Sequence, residues 1–125
     1  ALKDMAKQLE DSGYGGENYQ KYVLERESYM STVYMNGVCI PHPIEISAQK
    51  NMISVCILDN PLVHEGKPVR IIFMVSLVKE DYEVHKEVTR LLYLLMKDER
   101  RLKRVLEMKT LEELLIVIKE LNGGV

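Results

Sequence analysis

Three histidines are the residues of this sequence whose type best suits group-transfer chemistry, and each stands in a different local context. His42 lies in the segment Ile40-Pro41-His42-Pro43, where two prolines fix φ and favour an extended chain on either side. An imidazole held on such a stiff segment is well presented for chemistry. Residue type and spacing alone leave a second interpretation open, in which His42 is a surface histidine in a turn.

The other two histidines are less distinctive. His85 stands near the expected start of a helix, where the partly positive N-terminus favours a phosphate or lowers the pKa of a histidine. An exposed histidine in a first helical turn would show the same pattern. His64 lies in a polar connection between Pro61 and Gly66, and we predict an exposed loop residue there. The histidines lack tight spacing and no Cys/His cluster occurs, so the sequence gives little support to a zinc site.

An arginine, two cysteines and a basic stretch complete the candidates. Arg26 lies on a predicted helix, and its guanidinium suits bidentate phosphate binding, although a solvated helix charge fits equally. Cys39 precedes the proline-flanked histidine by three positions, and we predict a buried apolar role for it and for Cys56. Acidic residues interrupt the basic stretch over residues 100–104. We therefore predict a solvated helix face there instead of a nucleic-acid site.

Composition restricts the class of protein. The 125 residues are 46% hydrophobic, which predicts one folded domain over residues 1–125 and no disorder. The net charge of −2 excludes bulk attraction to nucleic acid or anionic lipid. No apolar run approaches the roughly 20 residues of a membrane helix. The two cysteines form no C-x-x-C pair, so a reducing cytoplasm is expected. The first residue is Ala, and we interpret the sequence as a domain excised from a longer protein.

The middle of the chain has the patterns of β-structure. Residues 31–44 hold Asn36-Gly37 and two prolines among apolar residues, which predicts short strands with a turn. Residues 52–58 alternate as a strand does, and turn residues predict a loop or loose hairpin over residues 60–66. Residues 69–78 are nearly all apolar and β-rich. A continuous run of this kind predicts a central strand covered on both faces.

Helical periodicity flanks these strands. Apolar spacing predicts helices over residues 2–12 and 17–29 and three more after the central strand. The last of these starts with a capping box, Thr110 and Glu113. Its apolar residues on one face are Leu111, Leu114, Leu115, Ile118 and Leu121. The order of helices, strands and helices predicts an α/β fold, a three-layer α/β/α sandwich around a small mixed β-sheet.

A longer stretch resembles a known family. Residues 32–42, Thr-Val-Tyr-Met-Asn-Gly-Val-Cys-Ile-Pro-His, are similar to the signature T-G-I-G-N-G-x-A-I-P-H of type-2 IIA domains of the phosphotransferase system, the mannitol/fructose class. The resemblance extends to Glu25-Arg26-Glu27, to the predicted hairpin and central strand, and to His85, which falls where the family keeps a second active-site histidine. It covers nearly the whole chain and implies the IIA mannitol/fructose-like fold.

The resemblance also implies a function. His42 would accept a phosphoryl group at Nε2 from phospho-HPr, the small phosphocarrier protein, without any cofactor. The chain would then be a phosphotransferase component, a phosphohistidine carrier and not a free turnover enzyme. It would lie in the bacterial cytoplasm, with no membrane contact and no direct contact with nucleic acid.

Roles for the surrounding residues follow from the same resemblance. His85 would donate a hydrogen bond to the phosphoryl oxygens, and Arg26 would neutralise part of their charge or fix the geometry of the site. Thr32 and Asn36 would orient the ring of the acceptor histidine. Gly37 would permit a close approach.

The chain departs from the family signature in ways that bear on its biological role. Val33 and Met35 replace two glycines, and Cys39 replaces an alanine. In these respects it resembles the IIA-like domains at the C-terminus of sugar-operon antiterminators and activators, in which the phosphoryl group would act as a switch. In a sugar-transport component the group would pass on to a IIB domain. A docking module that is never phosphorylated is the third interpretation.

Overall fold

The computed structural model of the chain describes residues 1–123, and the last two positions of the predicted domain lie outside the described residues. One compact unit covers Ala1–Tyr82 and a second begins at Glu83, and the single domain predicted from chain length stays a prediction. The elements of the first unit are α1 (Leu2–Asp11), α2 (Tyr19–Tyr29), a 3-10 turn (Met35–Gly37), β1 (Val38–Cys39), β2 (Met52–His64) and β3 (Lys67–Ser76). The remaining helices are α3 (Tyr82–Lys97), α4 (Glu99–Met108) and α5 (Leu111–Leu121).

The sheet of the first unit is small and mixed, as predicted. Its strand order is β1-β3-β2, with β1 parallel and β2 antiparallel to the central strand. Every residue of β3 from Ile71 to Ser76 is buried. The prediction of a central strand covered on both faces is therefore confirmed, because only a strand shielded on both sides can be apolar at consecutive positions.

Helices α1 and α2 pack on one face of this sheet. Met5 and Leu9 of α1 and Tyr19 and Val23 of α2 form a hydrophobic cluster with inward-facing residues of β3, including Met74. The hydroxyl of Tyr19 also donates to the carbonyl oxygen of Val75 at 2.7 Å. This hydrogen bond ties α2 directly to the central strand.

Strand β2 is longer than the alternation of residues 52–58 predicts. It continues through Asn60-Pro61 to His64, with an irregular register between Ile57 and Leu62. Glu65 and Gly66 then close a tight hairpin with φ of 50° and 79°. Of the two predicted alternatives, the hairpin is confirmed and the loop over residues 60–66 is wrong, since a strand irregularity accommodates the proline and only two residues turn.

The second unit is helical, and the predicted apolar face of α5 is only partly buried. Leu114 of that face is buried together with Val117, whereas Leu111 and Leu115 of the same face are 65% and 57% exposed. Thr110 does cap the helix, because its hydroxyl oxygen accepts the Glu113 N–H at 3.2 Å. The Glu113 carboxylate instead receives a hydrogen bond from the Arg104 guanidinium at 3.0 Å.

The basic stretch of α4 forms ion pairs with acidic residues. Arg101 pairs with Asp98 at 2.7 Å and with Glu120 at 2.9 Å, and Arg104 also contacts Glu120, at 3.0 Å. These side chains are partly exposed, in keeping with the predicted solvated face. Among the helices of residues 1–123, none combines the length and apolarity that a bilayer crossing requires.

Candidate functional site

The ring of His42 is oriented by the main chain two residues before it. Nδ1 lies 3.0 Å from the carbonyl oxygen of Ile40, and the side chain is half-buried. A carbonyl oxygen can only accept a hydrogen bond, so Nδ1 must carry the proton in this contact. In the neutral ring, Nε2 then keeps its lone pair and is the nitrogen available as a nucleophile.

The segment that carries His42 is fixed at three points. The Ile40 N–H donates to the Thr32 carbonyl at 3.0 Å, and the Val75 N–H of the central strand donates to the Pro41 carbonyl at 2.9 Å. Beyond the second proline, the Ile44 N–H donates to the Tyr22 carbonyl of α2, also at 3.0 Å. The prolines supply no N–H groups, so these bonds use the main-chain groups that the local sequence leaves available.

Thr32 is fully buried, and its side chain is directed toward α2. Its N–H donates to both carboxylate oxygens of Glu27 at 3.2 Å, and its hydroxyl donates to one of them. The same hydroxyl lies 3.6 Å from the sulfur of Cys39. Thr32 therefore contacts the His42 segment through its carbonyl, which accepts the Ile40 N–H, and its predicted role in orienting the ring stays a prediction.

Asn36 and Gly37 form the turn that leads into β1. Both have positive φ, 59° and 75°, and Gly37 is buried. A Cβ atom on Gly37 would lie 2.8 Å from Cγ of Arg70 on β3. The side chain of Arg70 thus packs closely against Gly37, a contact for which the sequence gave no signal. The role of Gly37 in a close approach at the site stays a prediction.

Arg26 lies in the last turn of α2. Its Nη1 donates to the carbonyl oxygen of Met30 at 2.6 Å, at the end of the same helix. A cation at a helix C-terminus satisfies one of the otherwise unpaired carbonyl groups and interacts favourably with the helix dipole. This contact occupies one N–H of the five in the guanidinium group.

The two other histidines lie in different units. His85 is half-buried in the first turn of α3, as predicted, and belongs to the second unit. His64 is not an exposed loop residue, because its Nε2 lies 3.1 Å from Oε2 of Glu27. The Glu27 side chain is only 7% exposed. Glu27 stands one helical turn after Val23 on the buried stripe of α2, and buried carboxylates are rare unless they are paired. Its position in the sequence was therefore the available signal that Glu27 has a hydrogen-bond partner.

The cysteines have structural positions. Cys39 is fully buried, as predicted, and its burial raises the pKa of the thiol to about 11. Cys56 is half-buried against the core of the first unit. Within residues 1–123, no group of three His, Cys, Asp or Glu side chains is arranged to hold a metal ion.

Comparison with known sequences identifies the family. The chain belongs to the family described as "Phosphoenolpyruvate-dependent sugar phosphotransferase system, EIIA 2", whose sequence model matches residues 1–121. The resemblance seen in the sequence is thereby confirmed. The chain is 26% identical over 125 residues to the mannitol-specific phosphotransferase enzyme IIA component of Halalkalibacterium halodurans, covering 98% of this chain and 84% of that protein. It is 27% identical over 87 residues to the transcriptional regulator ManR of Bacillus subtilis, covering 70% of this chain and 13% of that protein.

Solved structures share the fold. The complex of enzyme IIAMtl with phosphorylated enzyme IIBMtl from Escherichia coli matches with a TM-score of 0.76 and 17% identity, over 95% of this chain and 85% of that one. The crystal structure of IIA mannitol from the same organism matches with a TM-score of 0.71 and 18% identity, over 94% and 85%. The predicted α/β fold of the IIA mannitol type is therefore confirmed.

Proposed function

We propose that the chain is a phosphohistidine carrier that accepts a phosphoryl group on Nε2 of His42 from phospho-HPr. The observation that carries the proposal is the contact of Nδ1 with the Ile40 carbonyl, which leaves Nε2 as the nucleophilic nitrogen. Family membership supplies the chemical class. Phosphoryl transfer requires chiefly alignment and charge stabilisation, so a fixed ring is the central requirement on the protein.

The transfer step is an in-line displacement at phosphorus. The Nε2 lone pair of His42 forms the new N–P bond while the N–P bond of the donor histidine breaks, and its electron pair returns to the donor nitrogen. The proton on Nδ1 stays in place. The ring then carries positive charge, which the Ile40 carbonyl stabilises by accepting the hydrogen bond.

The surrounding residues have supporting roles in this proposal. His85 donates to the phosphoryl oxygens, and Arg26 supplies N–H groups other than the one bonded to the Met30 carbonyl. Asn36 and Gly37 hold the turn before β1. The step needs no metal or organic cofactor, because the donor already carries an activated phosphoryl group.

For the whole protein we propose a regulatory module of a cytoplasmic sugar-operon transcription regulator, in which the phosphoryl group changes how surfaces dock. The match to the regulator ManR supports this role. A IIA transport component that passes the group to a IIB domain is the second candidate. It is favoured by the match over 84% of a mannitol IIA component and by the likeness to a IIA protein in complex with a IIB protein.

The carrier function is tested by a phosphorylation assay. The purified chain is incubated with phosphoenolpyruvate, enzyme I and HPr beside His42→Ala and His85→Ala variants, and intact mass is recorded at mildly alkaline pH. We expect one phosphoryl adduct that is absent from His42→Ala. A folded wild-type chain without an adduct would refute the carrier function and leave a docking module. An adduct that is lost only in His85→Ala would show that His85, and not His42, carries the phosphoryl group.

A second experiment separates the two biological roles. The phosphorylated chain is mixed with the IIB domain of a mannitol-type transporter, and the mass of both proteins is followed. Retention of the adduct on the chain is expected for a regulator, whereas transfer to the IIB domain would favour transport. Any coding sequence upstream of residue 1 provides an independent test. A DNA- or RNA-binding segment there would favour the regulator, whereas membrane segments would favour transport.

A further inference from the structure

A buried carboxylate lies behind the candidate site. Glu27 follows Tyr19 and Val23 on the buried stripe of α2, and its side chain is 7% exposed. Buried carboxylates require donors, because an unpaired charge in an apolar environment is costly. Glu27 has them in the N–H and hydroxyl of Thr32 and in Nε2 of His64. A carboxylate only accepts, so His64 must carry a hydrogen on Nε2.

These contacts join a continuous series of hydrogen bonds that ends at the His42 ring. His64 lies 3.1 Å from Glu27, and Glu27 accepts the Thr32 N–H at 3.2 Å. The Thr32 carbonyl then accepts the Ile40 N–H at 3.0 Å, and the Ile40 carbonyl accepts Nδ1–H of His42 at 3.0 Å. All of these residues belong to the first unit.

We propose that Glu27 and His64 are positioning residues for His42. Neither touches the reacting nitrogen. Glu27 fixes Thr32, whose carbonyl sets the position of the Ile40 peptide, and the Ile40 carbonyl selects the tautomer of the His42 ring. His64, at the end of β2, holds the carboxylate of Glu27 in place. The kinetic consequence of this inference rests on the proposed phosphoryl transfer, whereas its structural consequence, the tautomer of His42, does not.

A competing explanation is that the sheet alone positions the segment. Cys39 pairs with Ile72 in β3, and the Pro41 carbonyl accepts the Val75 N–H. These contacts do not involve Glu27 or His64. If the contacts with the sheet were sufficient, substituting Glu27 or His64 would lower the stability of the fold without changing the tautomer of the His42 ring. The tautomer therefore distinguishes a positioning role from a purely structural one.

The variants are chosen to break and to restore one contact. His64→Ala removes the donor to Glu27, and His64→Gln returns an N–H at the same number of bonds from Cα. Glu27→Gln removes the charge. Asp11→Asn is the matched control, because Asp11 also pairs with a base, Lys7 at 3.5 Å, but both side chains are exposed.

Each variant is measured in three ways: thermal unfolding, the initial rate of phosphorylation by phospho-HPr, and the ¹⁵N chemical shifts of the His42 ring, which report its tautomer. In His64→Ala and Glu27→Gln we expect a smaller population of the Nδ1–H tautomer. The rate is expected to fall roughly 2- to 10-fold, the factor that corresponds to one hydrogen bond. His64→Gln should recover both quantities, and Asp11→Asn should match the wild type.

Three results would overturn the inference. The first is an unchanged tautomer in His64→Ala, even with a slower rate, since the effect would then arise elsewhere. The second is a tautomer in His64→Gln that stays as altered as in His64→Ala. The third is an altered tautomer in the Asp11→Asn control. If Glu27→Gln does not fold, the His64 variants decide, because that side chain is 34% exposed and at the edge of the pair. A wild-type chain that takes no phosphoryl group refutes the proposed function, and the ¹⁵N comparison still decides the positioning role.

Discussion

Replacing Gly37 by alanine tests why the turn before β1 requires glycine. Gly37 has φ of +75°, a region in which a side chain is strained, and an added Cβ would meet Cγ of Arg70 at 2.8 Å. Two costs are therefore combined at one position. Gly66 provides the matched control, because its φ of +79° is similar while nothing lies within 4 Å of an added Cβ.

The expected magnitude follows from these two contributions. A left-handed conformation costs a non-glycine residue about 1–2 kcal/mol. Gly66→Ala should show this amount alone. Gly37→Ala must also displace the aliphatic stem of Arg70, which adds about 1 kcal/mol of lost packing because the exposed side chain can move aside. Each kcal/mol corresponds to roughly 3–6 °C in melting temperature for a chain of this length.

The assay is thermal and denaturant unfolding of both glycine variants, of Arg70→Ala, and of the double variant Gly37→Ala/Arg70→Ala. In the Arg70→Ala background, the cost of Gly37→Ala should fall to that of Gly66→Ala, since the contact is gone and only the backbone term remains. Equal costs of the two glycine variants in the wild-type background would show that Arg70 contributes nothing. No loss of stability in either variant would refute the backbone argument itself.

Three further predictions concern Cys39 and Tyr19, two buried residues of the first unit. Burial raises the pKa of Cys39 from 9.0 to about 11, so about one Cys39 thiol in a thousand is ionised at pH 8. Iodoacetamide reacts with the thiolate, and we therefore expect it to modify Cys56 before Cys39. Mass spectrometry of the folded chain after timed labelling would record the order. Because the folded pKa of Cys39 is the higher one, the thiol contributes up to about 3 kcal/mol of stability that is present below pH 9 and is lost as the pH rises through 11. A Cys39→Ala variant whose stability falls as steeply over this range would contradict this prediction. Tyr19→Phe removes the hydroxyl that donates to the Val75 carbonyl and should lower the free energy of unfolding by about 1 kcal/mol, measured by urea titration. An unchanged midpoint would mean that this hydrogen bond contributes no more to stability than a hydrogen bond from the hydroxyl to water.

Local patterns were sufficient for most of the fold. The run over residues 69–78 predicted the central strand, because consecutive apolar residues are stable only where both faces are covered. The start of α5 after Thr110 was predictable because a threonine hydroxyl at the N-cap accepts a hydrogen bond from an N–H of the first helical turn, here that of Glu113. The face of α5 was wrong at Leu111 and Leu115, since helical spacing predicts which residues share a face but does not determine which face another element covers.

Long-range pairing was the part of the fold that the sequence could not supply. Turn residues at Asn60-Pro61 predicted the start of a loop or loose hairpin, yet β2 continues through this segment and pairs with β3 on either side of it. The extension carries His64 to the end of the hairpin, where it meets Glu27, 37 positions earlier in the chain. Neither residue has a local sequence signature that points to the other. The histidine predicted in an exposed loop is therefore found as the hydrogen-bond partner of a buried carboxylate.

The orientation of the His42 ring shows a different limit of sequence reasoning. The family resemblance implied that Thr32 and Asn36 orient the ring, and this stays a prediction, but neither the resemblance nor the residue types pointed to a main-chain group. The group that contacts Nδ1 is the Ile40 carbonyl, and every residue has a carbonyl. What the sequence does encode is the reason this carbonyl is in place, since Pro41 restricts the backbone between it and the ring. The informative signal was thus the stiffness of the segment, and Thr32 contributes by fixing that segment from behind.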